Sequence, residues 1–143
     1  MIPGGEEILH ATSLAIDGKG LLILGPSGSG KSALALRLIA YGAGLIADDR
    51  TGLRQGPGAP VAFCPAAAIR GLIEARGLGL LQVQPAAPAP VVLVVDLGCD
   101  ETERLPPRRH ITLLGYPLPL VLRPQNDHLA EGLLVWIRGG RQE

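Results

Sequence analysis

The sequence predicts an α/β fold, a mixed sheet with flanking helices built around one glycine-rich loop, and three observations predict it. The apolar run Leu21-Leu22-Ile23-Leu24 leads into Gly25-Pro26-Ser27-Gly28-Ser29-Gly30-Lys31-Ser32, and a helix-periodic segment from Ser32 to Ala40 leads out, so the order is strand, loop, helix. Short apolar runs of strand length then recur along the chain, bounded by Gly and Pro. Helical spacing returns only near the end. Strands therefore outnumber helices and several adjoin with no helix between them, which is not the alternating pattern of a doubly wound sheet.

Taken in order, Ile8 to Ile16 reads as a strand, Asp17-Gly18-Lys19-Gly20 as a turn and Leu21 to Leu24 as a second strand, a hairpin feeding the glycine-rich loop. A helix runs from about Lys31 to Tyr41, where Gly42 and Gly44 stop it. Leu45-Ile46-Ala47 is a short buried strand that delivers Asp48 and Asp49 to its carboxyl end. Gly56 to Pro60 marks a loop before Val61-Ala62-Phe63-Cys64, and a short helix is expected around Ala66 to Leu72. Leu78 to Val83 and Val91 to Val95 are strands separated by an exposed Pro85 to Pro90 connection. Ile111 to Leu114 and Pro117 to Leu122 are late strands. Asp127 to Arg138 closes the chain as a helix with apolar spacing at Leu129, Leu133, Leu134 and Ile137.

The loop from Gly25 to Ser32 fits the phosphate-binding pattern of a glycine, four variable positions and Gly-Lys-Ser. Its glycines can take backbone angles closed to residues with a Cβ, so successive N–H groups can turn inward around a phosphate oxygen. The helix that follows adds the positive end of its dipole. Lys31 would reach the β- and γ-phosphates of a nucleotide as a point charge, and the Ser32 hydroxyl would ligate Mg²⁺. Lys19 and Lys31 are the two lysines of the chain, and one of them falls where the motif needs it.

At 143 residues the chain has the size of one domain, so residues 1–143 are expected to form a single P-loop domain. A formal net charge of zero gives no basic field for nucleic acid or an anionic membrane, and Arg104, Arg108 and Arg109, the one dense basic cluster, read as a solvated loop. Aromatic residues make up only 3%, too few for a base-stacking platform. Apolar content is 47%, yet no run approaches a membrane span, and Met-Ile-Pro-Gly-Gly-Glu-Glu lacks the basic start and apolar stretch of a signal peptide. A cytoplasmic location is the expectation. Cys64 and Cys99 have no paired spacing and no matching His cluster, and read as buried small residues. A guanine-specific switch is disfavoured, because no Asn-Lys-x-Asp segment exists to read the base.

Phosphoryl transfer needs carboxylate support for its metal and a base for the acceptor hydroxyl. Two places offer them. Asp96 ends the apolar strand Val91-Val-Leu-Val-Val, as the second metal contact does in ordinary phosphate-loop ATPases; Leu45-Ile-Ala-Asp48-Asp49 offers two adjacent carboxylates much sooner after the loop. Neighbouring like charges raise one pKa, which suits a group that must accept and return a proton.

With Leu-Ile-Ala-Asp48-Asp49-Arg50 after the phosphate loop, the chain resembles the HPr kinase/phosphorylase family of bacteria, whose catalytic domain carries an Ile-Ala-Asp-Asp-Arg segment there. The family's Leu-Glu-Ile-Arg-Gly-Leu-Gly-Ile segment is similar to Leu72-Ile-Glu74-Ala-Arg76-Gly-Leu-Gly-Leu80. The likeness spans roughly His10 to Ile137 and is that of the short, single-domain alphaproteobacterial type. It implies the fold of the family's catalytic domain, ATP and Mg²⁺ as cofactors, and a serine of an HPr-type phosphocarrier protein of the phosphotransferase system as acceptor. It implies further that His10 is catalytic, that Ser32 and Glu74 hold the metal, and that Arg104, in Glu103-Arg104-Leu105, acts on the phosphate from a neighbouring subunit, since the family forms hexamers. Either Asp48 or Asp49 could be the base. The family's reverse-reaction segment, Val-Arg-Pro-Gly-Arg-Asn-Leu-Ala, is only partly matched by Leu122-Arg-Pro-Gln-Asn-Asp-His-Leu-Ala130, so kinase activity is expected rather than phosphorylase activity. The rival readings are a P-loop small-molecule kinase or regulatory ATPase that uses Asp96, and a nucleotide-binding module without catalysis.

Overall fold

A computed structural model of the chain describes residues 5–143; the first four residues of the amino-terminal stretch lie outside them. The elements run β1 (Glu7–Leu9), β2 (Thr12–Ile16), β3 (Lys19–Leu24), α1 (Lys31–Ala40), β4 (Gly44–Ala47), β5 (Thr51–Arg54), β6 (Val61–Phe63), β7 (Leu72–Ala75), β8 (Gly79–Gln82), β9 (Ala89–Asp100), β10 (Arg109–Leu113), β11 (Tyr116–Arg123) and α2 (Leu129–Gly139). The fold is the expected mixed α/β one. A nine-stranded sheet has the order β1-β5-β6-β9-β3-β2-β4, with β11 also on β9 and β10 on β11; β7 and β8 form a separate hairpin.

The twelve-residue β9 is the spine of this sheet. It runs parallel to β3 and to β11 and antiparallel to β6. Val91, Leu93, Val94 and Val95 are buried, as a strand covered on both faces requires. A register shift opposite Gly20 and Leu21 sends Leu93 and Val95 to the face covered by α1 and α2, while Val91 and Val94 join the core on the other face. Gly20 has no room for a side chain, since a Cβ would lie 2.9 Å from the Pro90 carbonyl oxygen. Helix α1 packs Leu34, Ala35 and Leu38 onto the sheet, and α2 adds Leu133, Leu134 and Ile137, the apolar stripe read from its spacing. The two helices are tied by Glu131, which accepts from Arg37 Nη2 (2.9 Å) and Tyr41 Oη (2.5 Å). Those bonds hold the Glu131 carboxyl below its usual range and push the Tyr41 hydroxyl up.

Several sequence expectations are corrected in detail. The strand expected from Ile8 to Ile16 is broken at His10 and Ala11, so β1 and β2 pair with different neighbours. The turn after it is confined to Asp17 and Gly18, both at positive φ, and Lys19 and Gly20 already belong to β3. The expected helix at Ala66 to Leu72 is only a 3₁₀ turn at Ala67–Ile69, because Gly71 takes positive φ and Leu72 opens β7. Thr51–Arg54 is a strand that its Gly52 and polar ends concealed; the Phe63 ring covers Gly52 from the paired position on β6. The Pro85 to Pro90 connection is not simply exposed: Gln84 and Ala86 exchange hydrogen bonds with Leu45, and Ala89 and Pro90 belong to β9. Cys99 is exposed on β9 rather than buried, and the carboxylate of Asp96 beside it pushes its thiol up.

Arg109 is not a solvated loop residue either. From β10 it donates to both oxygens of the buried Glu101 at 2.9 and 3.0 Å, fastening the end of β9 to β10. The Arg109 guanidinium, hydrogen-bonded to it, holds the Glu101 carboxyl below the ordinary glutamate range. A depressed folded-state value contributes stability above the unfolded value that is lost as pH falls through the folded one. Thermal unfolding between neutral pH and pH about 3 is therefore expected to show a falling midpoint, with a smaller fall in Glu101→Gln.

Candidate active site

The phosphate loop joins the end of β3 to the start of α1, and its backbone has the shape the sequence calls for. Gly25, Gly28 and Gly30 all have positive φ, and at Gly25 a Cβ would lie 2.4 Å from Ser29 Oγ. Gly30, at φ 100, is the N-cap of α1; among the described residues no side chain caps the helix, and no acidic residue sits in its first turn. A helix start of this kind suits an anion, whose charge the first-turn N–H groups can meet. Lys31 is buried, with Nζ donating to the carbonyls of Gly25 (2.7 Å) and Pro26 (3.1 Å) across the mouth of the loop.

Opposite the loop, the turn that follows β4 carries Asp48 and Asp49, and the two carboxylates have different surroundings. Asp48 Oδ1 accepts from Ser32 Oγ (2.9 Å) and Thr12 Oγ1 (3.1 Å), and its Oδ2 accepts from the backbone N–H of Glu74 (3.2 Å). Asp49 points the other way, its Oδ1 2.5 Å from Nε2 of His10, with both side chains more than half exposed. The exposed pair contributes little to stability and serves to orient the two groups. The division between the aspartates is made by the backbone. Arg50 N donates to the Asp48 carbonyl at 2.7 Å, and Asp49 sits at the apex of this three-residue turn with φ 67. That conformation is costly for most residues and tolerated by Asp and Asn.

The corner is held from beneath by buried hydroxyls. Thr12 also accepts from Asp49 N (3.2 Å), while Ser13 Oγ lies 2.8 Å from Thr51 Oγ1, which donates to the Ala11 carbonyl. Thr12, Ser13 and Thr51 are fully buried. Sequence reading missed Thr12, although two hydroxyl residues opening an otherwise apolar strand are the available signal.

A cavity of about 580 Å³ runs between these groups, lined by Ser27, Gly28, Gly30, Lys31, Ser32, Asp48, Asp49 and Glu74, with Arg76 and Leu78 of the β7–β8 hairpin at its edge. Strand alternation explains Glu74. Ile73 and Ala75 are buried, which leaves Glu74 facing outward over the cavity. Of the residues singled out from sequence, Ser27, Gly28, Gly30, Lys31, Ser32, Asp48, Asp49 and Glu74 thus share one cavity, His10 joins through Asp49, and Gly25, Pro26 and Ser29 belong to the loop but not to the cavity lining. Two others do not come to it. Arg104 lines a larger cavity of about 830 Å³ on the β11 and α2 side of the molecule. Asp96 turns its carboxylate onto its own strand, accepting from Gly98 N at 2.8 Å, so the Asp96 alternative gains no support from the cavity.

The oxygen donors fit a small hard cation. Among the described residues no group of three or more His, Cys, Asp or Glu side chains is placed to hold a metal alone. Ser32, Asp48 and Glu74 are a partial oxygen set of the kind that shares Mg²⁺ with substrate phosphates. No helix among the described residues is long and apolar enough to cross a membrane.

Comparison with known proteins points to one family. A family model described as the HPr Serine kinase C-terminal domain matches residues 4–87. An HPr kinase/phosphorylase of Cupriavidus necator is 40% identical over 125 residues, covering 79% of this chain and 38% of the relative. One of Bordetella pertussis is 41% identical over 128 residues, covering 80% and 41%. The chain thus spans about two fifths of the length of these curated relatives. The solved HPr(Ser) kinase/phosphatase of Coxiella burnetii superposes with a TM-score of 0.76 at 28% identity, covering 92% of this chain and 88% of that one.

The turn at Asp49 separates chemistry from backbone strain in a measurable way. Asp49→Asn, which tolerates the left-handed region, is expected to keep its stability within about 0.5 kcal/mol, whereas Asp49→Ala should lose roughly 1–2 kcal/mol in urea unfolding. Equal losses would show that the conformation of Asp49 stores no strain.

Proposed function

The chain belongs to the HPr serine kinase C-terminal domain family, and on that premise we propose that it transfers the γ-phosphate of ATP to a serine hydroxyl of an HPr-type phosphocarrier protein. The observation that carries the reading is the separation of two adjacent carboxylates, Asp48 against the Ser32 hydroxyl and Asp49 against His10, on either side of one phosphate-loop cavity. In this reading the N–H groups of residues 25–32 surround the β- and γ-phosphates, and the Lys31 ammonium leaves the loop carbonyls to neutralise charge on the transferring group. Ser32, Asp48 and Glu74 hold Mg²⁺, which when bound neutralises phosphate oxygens and fixes the polyphosphate.

Asp49 is assigned as the base. It is the exposed carboxylate of the pair, within reach of an incoming protein side chain, and His10 fixes its orientation. Asp49 takes the proton of the serine hydroxyl as that oxygen bonds to the γ-phosphorus, and the bond to the β,γ-bridging oxygen breaks to release ADP. Asp48, already committed to three hydrogen bonds, is assigned to the metal side. Arg104 takes part only if copies of the chain assemble, as in a hexamer, so that its loop meets a neighbour's cavity. A cytoplasmic setting, where ATP is available, goes with this reading. The proposal is confined to the forward direction.

Phosphate transfer from γ-labelled ATP with Mg²⁺ to a purified HPr-type phosphocarrier tests it. Labelling of a serine is expected with the wild-type chain, falling on the order of 10²-fold or more in Lys31→Ala and in Asp49→Asn. Undiminished labelling in either variant, or none with wild type, would overturn the assignment.

A further inference from the structure

Arg123, the last residue of β11, reaches across to the phosphate loop from outside the cavity. Its Nε donates to the Leu97 carbonyl at 3.1 Å, and its Nη2 donates to the carbonyl of Ser29, in the middle of the loop. Its own carbonyl accepts from Glu101 N at 2.7 Å, so the residue is anchored at both ends. The anchor depends on an irregularity in β9. Leu122 pairs with Asp96 but Arg123 pairs with Asp100, so Leu97, Gly98 and Cys99 bulge out of the ladder. The bulge lies directly against the loop: a Cβ on Gly98 would come within 3.0 Å of Pro26 Cδ, and Gly25 Cα is 3.9 Å away.

We propose that Arg123 is a positioning residue that sets the phosphate loop by fixing the Ser29–Gly30 peptide plane; the inference rests on the nucleotide reading of the loop. In a planar trans peptide the carbonyl and the following N–H point in opposite directions. A Ser29 carbonyl held by Arg123 therefore directs the Gly30 N–H away from Arg123, and Gly30 lines the cavity. Among the described residues the other side-chain hold on the loop's carbonyls is Lys31, bonded to those of Gly25 and Pro26. That hold is given up when the ammonium turns to phosphate, whereas the Arg123 contact persists. A guanidinium suits the task because its rigid planar fork fixes the relative orientation of the two carbonyls it meets, whereas an ammonium is a point charge with rotatable donors.

The test is equilibrium binding of a fluorescent N-methylanthraniloyl ATP with Mg²⁺ to wild type, Arg123→Ala and Arg123→Lys, each checked for native circular dichroism. Arg123→Ala is expected to bind about ten-fold or more weakly, Arg123→Lys to be intermediate, and millimolar guanidinium chloride, but not sodium chloride, to restore part of the affinity of Arg123→Ala alone. A folded Arg123→Ala that binds like wild type overturns the inference. So does a loss that neither lysine nor guanidinium relieves, which would assign the residue to general stability. Failure of the wild-type chain itself to bind is a distinguishable result that removes the nucleotide reading and this inference with it.

Discussion

The carboxylate of Asp48 is the point on which the rest of the site depends. It accepts hydrogen bonds from three segments far apart in sequence: Ser32 at the first turn of α1, Thr12 at the start of β2 and the backbone of Glu74 on β7. Ser32 and Thr12 meet it at a partly buried corner, where a lost hydrogen bond costs about 1–3 kcal/mol, while the Glu74 contact lies at the exposed edge. One side chain thereby fixes the distance between the phosphate loop and the opposite wall of the cavity. With three hydrogen bonds on a carboxylate that offers about four acceptor sites, Asp48 holds its neighbours in place, while the more exposed carboxylate of Asp49 is bonded, among the described residues, only to His10.

That contrast comes from the backbone as much as from the side chains. Adjacent residues in extended chain already face opposite ways. Here the tight turn at Asp49 sharpens the difference, placing its carboxylate against His10 and solvent while Asp48 stays inside. The buried hydroxyls of Thr12, Ser13 and Thr51 secure the turn from below. A conformation that most residues avoid is thus kept at the position to which the proposed reaction assigns its base. The phosphate loop follows the same logic: its glycines adopt positive φ angles that residues with a Cβ rarely take, and β9, through its bulge, together with the end of β11 braces them from behind.

Much of this was legible in the sequence because its signals are local. The glycines, Lys31 and Ser32 announce a strand–loop–helix unit by spacing alone, and the apolar stripe of Leu129, Leu133, Leu134 and Ile137 fixes α2. Glu74 could be placed by its flanking residues, though not on a hairpin, since Gly71 and Gly77 act through positive φ that no propensity reveals. What was not legible depends on pairing between distant strands. Thr51–Arg54 becomes a strand because β1 and β6 flank it, and Phe63 supplies the side chain that Gly52 lacks. Thr12 and Arg123 matter through partners 36 and 94 residues away, which no window along the chain contains. Arg104 was placed by a three-residue likeness, and the fold sets it beside another cavity.

The central claim is that neighbouring carboxylates do different work, Asp48 for the metal and Asp49 for the proton. Mn²⁺ affinity in the presence of ATP, measured by electron paramagnetic resonance on wild type, Asp48→Asn and Asp49→Asn, tests it most directly. The account predicts that Asp48→Asn weakens metal binding about ten-fold or more while Asp49→Asn stays within about two-fold of wild type. A loss confined to Asp49→Asn, or equal in both variants, would contradict it.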